Sequence, residues 1–278
     1  MGGSGYFGLV ELRGLDCGIA LWITGFGEWV SFMPLKFCLS LLLSGACATG
    51  VALAADGIPK GVVELFTSQG CSQCPPADAA LEKLIDQGDV VALSYHVDYW
   101  NYLGWTDTLS SKENTARQYG YAKSLGRSGV YTPQAVVNGS DHMNGADLTS
   151  INAKLDGFKA SGQGLKIPVV AAIKGDEIEI NIGAGQGKAD VVMVYFTKEQ
   201  QIKVAKGENS GRDIDYRNSV TDIQTVGMWD GQKLRLVLPA KVVGDAAKKG
   251  CAVLLQTSNS SGQPSSIIGA ALLNGGSH

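Results

Sequence analysis

The chain has 278 residues, of which 45% are hydrophobic and 18% are charged, and its formal net charge at pH 7 is −3. This length allows one large domain or two modest ones, and the composition is ordinary for a globular protein with a hydrophobic core. Proteins that bind nucleic acids or anionic membranes favour basic patches, so the small negative charge argues against both kinds of partner.

Residues 33–54 have the pattern of a secretory signal. Lys36 supplies a short basic start, residues 37–43 form an apolar run, and an Ala-x-Ala cleavage site ends at Ala54. We expect cleavage after Ala54 and an exported protein, periplasmic or secreted, without a stable membrane span. A membrane anchor is the alternative, but small and polar residues such as Ser44 interrupt the apolar run.

Two further features of the N-terminal region affect the expected mature chain. Residues 1–32 show no clear periodicity, and we expect translation to begin at Met33, so that residues 1–54 comprise an upstream extension and the signal peptide. Residues 43–47 loosely resemble a lipid-attachment box that would anchor the protein through Cys47. Ser44, three positions before Cys47, fits this box poorly. We therefore rank a lipoprotein anchored at Cys47 below the cleaved, unanchored form.

Signal cleavage would leave three of the six cysteines, namely Cys71, Cys74 and Cys251. Three cysteines are too few for a protein stapled by a framework of disulfides. An exported protein that retains one close pair is expected to use that pair. Cys251 lies in an apolar run, which predicts a buried free thiol that packs as a small hydrophobic side chain.

The first part of the mature chain alternates strands and helices. A strand is predicted over residues 60–67, an amphipathic helix over 77–87 ended by Gly88, and a second buried strand over 90–95. This order implies a right-handed crossover and a parallel strand pair. The later elements are a helix capped by Ser110 or Ser111, a strand over 130–139 that ends in an Asn-Gly turn, and a helix over 148–158 capped by Asp147.

A different pattern begins after residues 161–166, whose composition is that of a linker. Short apolar strands recur there, several joined by Gly, Asn or Asp turns, and this spacing favours a β-sandwich. Residues 213–229 show no clear pattern. The predicted strands cover residues 167–173, 177–182, 190–197, 233–238, 251–257 and 267–273.

Cys71 and Cys74 stand two residues apart where the first strand gives way to the first helix. Helix amides and the helix macrodipole lower the pKa of a thiol at this position, and the thiolate is the reactive form. Cys71 would therefore attack a partner's sulfur and Cys74 would resolve the mixed disulfide. The alternative is a permanent short-loop disulfide without catalysis.

The order strand, Cys-x-x-Cys-Pro, helix, strand, helix, Thr-Pro strand, helix resembles the thioredoxin superfamily over about residues 60–160. The resemblance implies that Pro133 is cis and packs beside the disulfide, and that Thr132 presents its backbone to an extended substrate chain. Gly70 stands where thioredoxin has tryptophan, and Ser-Gln replaces Gly-Pro between the cysteines. The direction of electron flow therefore stays open.

Longer segments are similar to the exported family catalogued as domain of unknown function 1223. That family carries no established activity, so a function has to be argued from the site. The thioredoxin resemblance implies an α/β thioredoxin-like domain over residues 55–160. Composition and strand spacing predict a linker over 161–166 and a mainly antiparallel β-sandwich over 167–278. The segments that carry the family resemblance are residues 63–78, 96–100, 104–105, 130–134, 207–212 and 216–218.

The function that the sequence favours is thiol–disulfide exchange with thiols or disulfides of other proteins, as in a thiol–disulfide oxidoreductase, without a cofactor. One alternative is a Cu(I)-binding or delivery protein that uses Cys71, Cys74 and His96, since thiolates favour this soft ion. Against this, His96 is also expected as a partly buried histidine hydrogen-bonded to Asp98 or to backbone. The other alternative is a non-catalytic binding module with a structural disulfide.

Two further runs of residues, one aromatic and one polar, each allow two interpretations. The aromatic residues of segment 95–105 favour core or interface packing, and a peptide-facing wall is the alternative. Glu208, Asn209, Arg212 and Arg217 form a polar run that reads as a solvated loop. Alternatively this run docks near the cysteines, where an arginine would position an acidic group.

Overall fold

The structure, a computed structural model, describes residues 58–244 and 248–273. The predicted extension and signal peptide, the start at Met33 and the candidate anchor Cys47 therefore lie outside the described residues. In the described ranges no helix is both long enough and apolar enough to cross a membrane.

Strands dominate the described chain and three α-helices accompany them. Two short 3₁₀ turns, Asn101–Leu103 and Ala240–Val242, complete the regular structure of these residues. The elements are, in chain order, β1 Gly61–Thr67, α1 Pro75–Gln87, β2 Val90–His96, α2 Lys112–Ser124, β3 Gln134–Val137, β4 Asp141–Asn144, α3 Leu148–Ala160, β5 Val169–Lys174, β6 Glu177–Ile182, β7 Ala189–Lys203, β8 Asp213–Trp229, β9 Leu234–Pro239, β10 Lys249–Ser258 and β11 Pro264–Leu272.

The described strands form an eight-stranded mixed sheet and a three-stranded sheet. The large sheet has the order β11-β10-β7-β8-β2-β1-β3-β4, and the small one β5-β6-β9. Strand β2 is parallel to both of its neighbours, β1 and β8, and the other neighbouring strands are antiparallel. The large sheet thus takes its strands from both halves of the chain.

The predicted fold class, a thioredoxin-like α/β domain followed by a separate antiparallel sandwich, is wrong. Strand β8 pairs with β2 through Ser94 and Ser219, so that a single mixed sheet runs through both halves. Asn218 strengthens this junction because its side-chain amide donates a hydrogen bond to the carbonyl of Ala92 at 2.9 Å. Such a pairing joins residues far apart in the chain, and local periodicity carries no signal for it. The domain boundaries at residues 55–160, 161–166 and 167–278 stay a prediction.

Hydrophobic cores lie on both faces of the large sheet. One core joins the two halves, since Phe66, Tyr95 and Tyr121 share it with Val194 and Leu254. Helix α1 covers another core on the opposite face of β1 and β2. The small sheet buries its own apolar face against β7 and β10.

A buried ion pair crosses the core that joins the halves. Arg117 Nε on α2 lies 2.7 Å from Glu64 Oε1 on β1, and the side chains are 8% and 0% exposed. The hydroxyl of Tyr121 donates to the same carboxylate, and Arg117 also donates to Gln256 Oε1 on β10 at 2.9 Å. This network ties the first half of the chain to the second.

Candidate functional site

Cys71 and Cys74 form a disulfide at the N-terminus of α1. Cys74 is the N-cap residue and a proline follows it inside the first turn, where its missing N–H costs nothing. Cys71 is 2% exposed and Cys74 is fully buried, so the disulfide is almost inaccessible to solvent.

The turn before Cys71 is shaped by Gly70 and Trp100. The Cys71 amide donates to the carbonyl of Ser68 at 3.1 Å, which closes the turn after β1. A Cβ atom at Gly70 would lie 3.1 Å from the Cβ of Trp100, so this position suits glycine. Trp100 in turn donates its indole N–H to the hydroxyl of Thr132 at 2.8 Å.

The Thr132–Pro133 peptide bond is cis, and Pro133 is buried at the entrance to β3. Because Gln134 pairs with Phe66, this proline lies next to the end of β1, from which the cysteine turn departs. The structure therefore brings Thr132 and Pro133 to the same end of the sheet as Cys71, with Trp100 between them.

His96 is held by Asp107, and not by Asp98. Its Nδ1 lies 2.8 Å from Asp107 Oδ2, while Asp98 accepts from the hydroxyl of Thr115. Burial alone would raise the pKa of Asp107, but His96 and two backbone amides outweigh it and hold that pKa below its usual value. An ionised carboxylate can only accept, so Nδ1 of His96 is the donor and Nε2 faces the opposite way.

The alternative copper site is not assembled in this structure. Within the described ranges, no group of three or more His, Cys, Asp or Glu side chains is arranged to hold a metal ion. Cys71, Cys74 and His96 therefore do not form a ligand set, and the cysteines are bonded to each other.

A group of buried polar atoms without hydrogen-bond partners in the described chain lies between α1 and the sheet. The group includes both carboxylate oxygens of Asp78, Nε2 of His96, and the hydroxyls of Thr67 and Tyr216. The rings of His96 and Tyr216 meet edge to face with centroids 4.6 Å apart, and Thr67 is the register partner of His96. Buried polar atoms without partners are rare in folded proteins, so a concentration of them calls for a functional explanation.

Asp78 is the central member of this group. It follows Cys74 by four residues in α1, which places the two side chains on one face of the helix. Burial raises the pKa of Asp78 to about 7, although the ring of His96 acts in the opposite direction. The hydroxyl of Thr67 lies close enough to the Asp78 carboxyl to lower its pKa. The two groups are not, however, at the distance and angle of a hydrogen bond.

The polar run of the second half contacts the cysteine turn. Asn209 donates from Nδ2 to the carbonyls of Gln69 and Cys71, at 3.0 and 2.9 Å. Glu208 Oε2 accepts from the amide of Ser72 at 3.2 Å. Of the two interpretations left open for this run, a solvated loop and docking near the cysteines, the structure shows the docking.

The arginine of that run that contacts acidic groups in the described structure is Arg217. Its NH1 lies 3.3 Å from Glu82 and 3.6 Å from Asp86, both on α1. Arg212 instead contributes its carbonyl, which accepts from the amide of Val204.

Sequence reasoning missed Asp78, Asp107 and Tyr216. For Asp78 the sequence did hold a signal, because an acidic residue stands on the apolar face of a helix, one turn after Cys74. By contrast, the prediction for Cys251 is confirmed: it is a buried free cysteine, and burial raises its pKa to about 12.

Comparison with known proteins now places the chain. The family described as Protein of unknown function (DUF1223) matches residues 62–256. The chain belongs to this family. A protein from Agrobacterium tumefaciens whose crystal structure is known is 61% identical to this chain, with a TM-score of 0.75, over 81% of this chain and 98% of that one.

A second solved structure is much less similar to this DUF1223 chain. The sporulation control protein Spo0M of Bacillus subtilis is 14% identical over 41% of this chain and 49% of its own length, with a TM-score of 0.23. That score carries no structural argument. No curated protein matches the chain.

Proposed function

We propose that this DUF1223 protein exchanges disulfides with other proteins through Cys71 and Cys74. The observation that carries the proposal is the carboxyl group of Asp78, which is buried, without a partner in the described chain and one helical turn from Cys74. A permanent staple has no use for a buried acid whose pKa is about 7, whereas a thiol that gains and loses a proton does.

The exchange step balances without a cofactor. A thiolate of the partner attacks Cys71 Sγ, the Cys71–Cys74 bond breaks, and its electron pair goes to Cys74 Sγ, which takes a proton from Asp78. A second thiol of the partner then attacks the partner's sulfur in the mixed disulfide and expels Cys71 as a thiolate. In the opposite direction, the Cys71 thiolate attacks the partner's disulfide and expels one of its sulfurs as a thiolate. The Asp78 carboxylate removes the proton from Cys74, whose thiolate attacks Cys71 Sγ and expels the partner's second thiolate. The partner's thiols supply the electrons when the pair is reduced, and the partner's disulfide receives them when it is oxidised.

Thr132, Pro133 and Trp100 support the proposal through their position. They lie at the same end of the sheet as the cysteine turn, and Trp100 contacts both Gly70 and Thr132. In the thioredoxin-like sites that this arrangement resembles, the residue before the proline presents its backbone to the partner's chain. We assign Thr132 and Pro133 this site-shaping role.

The decisive experiment measures the rate constant of exchange with a reduced protein dithiol at pH 7. Cys71→Ser should abolish exchange. Cys74→Ser, which leaves Cys71 as a free thiol, should trap a mixed disulfide when the partner is supplied in its disulfide form. Cys251→Ser, which alters the buried third cysteine, is the matched control and should leave the rate unchanged. If the Cys71–Cys74 disulfide exchanged no faster than the disulfide of a short unstructured peptide, the proposal would be contradicted.

Asp78→Asn tests the proton step within the same assay. We expect the exchange rate at pH 7 to fall by roughly 10²-fold, the lower range of general acid–base catalysis, because Cys74 loses its proton partner. Asp86→Asn, at an exposed position on the same helix, should leave the rate unchanged. Equal rates for Asp78→Asn and the unsubstituted protein would remove Asp78 from the mechanism.

The second candidate is a structural disulfide, which the burial of both sulfur atoms favours. The reduction potential of the pair separates the two candidates. A potential below about −300 mV, with no lowered thiol pKa at Cys71, indicates a staple that resists reduction. We expect a higher potential.

Export is part of the proposal, because stable disulfides and their exchange partners belong to oxidising compartments. The signal pattern ending at Ala54 supports it. We expect the mature protein to begin at residue 55, which N-terminal sequencing of the processed protein measures. A processed protein that still contains residues 33–54 would contradict this assignment.

A further inference from the structure

A short loop of the second half covers the cysteine turn. This loop, residues 205–211, is tied at its base, where the Val204 amide donates to Arg212 and the Gly211 amide to Val204, at 2.9 and 2.8 Å. Gly207 and Gly211 have φ angles of 81° and 83°, which L side chains rarely adopt. The loop is therefore compact, with a glycine at two of its bends.

The loop contacts the cysteine turn through two side chains. Asn209 is fully buried, and its Nδ2 donates to the carbonyls of Gln69 and Cys71. Glu208 accepts the amide hydrogen of Ser72. The loop therefore binds three main-chain groups of the cysteine turn. They are the carbonyls of Gln69 and Cys71 and the amide of Ser72.

Little else in the described structure holds the loop down. Asn209 is buried, and the other six residues of 205–211 are exposed. The oxygen Oδ1 of Asn209 has no hydrogen-bond partner among the described residues. Removal of the loop would therefore expose little apolar surface, and its main cost would be three hydrogen bonds.

Exchange requires that the loop move. The incoming sulfur must approach Cys71 Sγ opposite the bond that breaks, and Cys71 is 2% exposed in the closed structure. A polypeptide cannot reach a sulfur atom with so little exposed surface, and the loop is a neighbouring segment that hydrogen bonds hold against the cysteine turn.

We propose that residues 205–211 form a displaceable lid, and that Asn209 and Glu208 occupy the hydrogen-bonding positions of an extended, cysteine-bearing polypeptide segment. This inference rests on the proposed exchange function. The partner's main-chain N–H would replace Nδ2 of Asn209, and its carbonyl would replace the carboxylate of Glu208. Recognition through main-chain groups is tolerant of sequence, so the partner class is a flexible or unfolded protein segment that contains cysteine.

The first measurement is the alkylation rate of Cys71 by iodoacetamide after reduction with dithiothreitol. Asn209→Ala should raise this rate by about tenfold, because it removes two of the three hydrogen bonds that close the lid. Asn209→Asp keeps the side-chain volume but sets an acceptor against two carbonyls, and it should raise the rate at least as much. Ser210→Ala, whose hydroxyl bonds to Ala205 within the loop, is the matched control and should have no effect.

The second measurement detects the lid directly by trypsin cleavage after Lys206. In the Cys74→Ser background, a mixed disulfide with an unstructured cysteine-containing peptide should accelerate this cleavage. A mixed disulfide with 2-mercaptoethanol, which offers no polypeptide main chain, should leave the cleavage rate as it was.

The outcomes separate the lid from the exchange function. Equal alkylation rates for both Asn209 variants and the unsubstituted protein would overturn the lid even if exchange takes place. If trypsin cleaved the peptide and mercaptoethanol adducts at equal rates, the proposal that a bound polypeptide displaces the loop would be overturned. Faster alkylation in the Asn209 variants, without exchange with any protein thiol, would support a movable loop and refute the proposed function.

Discussion

Asp78→Asn is expected to raise the free energy of unfolding at pH 8 by about 4 kcal/mol. The folded protein raises the pKa of Asp78 from 3.8 to about 7, so its charged form is far less favourable in the folded chain than in the unfolded one. The asparagine cannot ionise and avoids this cost. Urea unfolding followed by circular dichroism measures the difference.

The sign of this effect with pH is fixed by the two pKa values. Below pH 3.8 the carboxyl is neutral in both states and the variant gains nothing; the gain grows as pH rises and levels off above about 7. Asp89→Asn, at an exposed position just after α1, is the matched control and should change stability little at any pH. A gain from Asp78→Asn that does not depend on pH would show that Asp78 is not the buried acid described here.

Arg117→Met is expected to destabilise the protein by about 3–5 kcal/mol, because it leaves the carboxylate of Glu64 in the core without its cation. Burial alone would lower the pKa of Arg117, but Glu64 outweighs it and the pKa is raised well above its ordinary value. The long apolar side chain of methionine fills much of the same space, so the loss reports the charge and not a cavity. Urea unfolding at pH 7 measures it.

Two further variants test this explanation. Glu64→Met combined with Arg117→Met removes both charges and should recover most of the lost stability, since a buried ion pair is commonly no better than an apolar pair. Arg235→Met removes the exposed partner of Glu179, where the ion-pair distance is also 2.7 Å, and should leave the urea midpoint nearly unchanged. A double variant as unstable as Arg117→Met alone would mean that packing, and not charge, dominates at this position.

Local signals in the sequence predicted the elements well. The caps Ser111 and Asp147 accept from Asn114 and Ser150, at 3.0 Å in both cases, as capping residues do. Gly88 ends α1 in the left-handed region, with a φ angle of 76°. Of the six strands predicted after the linker, each corresponds to an observed strand, although β7 runs on to Lys203.

The errors arose where pairing depends on distant residues. The unclear segment 213–229 is the 17-residue strand β8, which lies between β7 and β2 in the large sheet. Its burial does not alternate regularly, because Tyr216, Val220 and Trp229 along its length pack into three different hydrophobic clusters. The short strand β4 escaped prediction because four residues with a single apolar side chain, Met143, carry no periodicity.

The sequence by itself determined the positions of the three helices and of most strands, the close pair Cys71 and Cys74 at a strand–helix junction, and the family. These features depend on neighbours within a few residues, where spacing, caps and turn residues act directly. Only the tertiary structure decided that β8 joins β2 in one mixed sheet, that Asp78, His96 and Tyr216 gather under α1, and that Asn209 donates a hydrogen bond to the carbonyl of Cys71. Those contacts span from about 20 to about 140 residues, and burial and pairing across such distances arise only when the whole chain has packed.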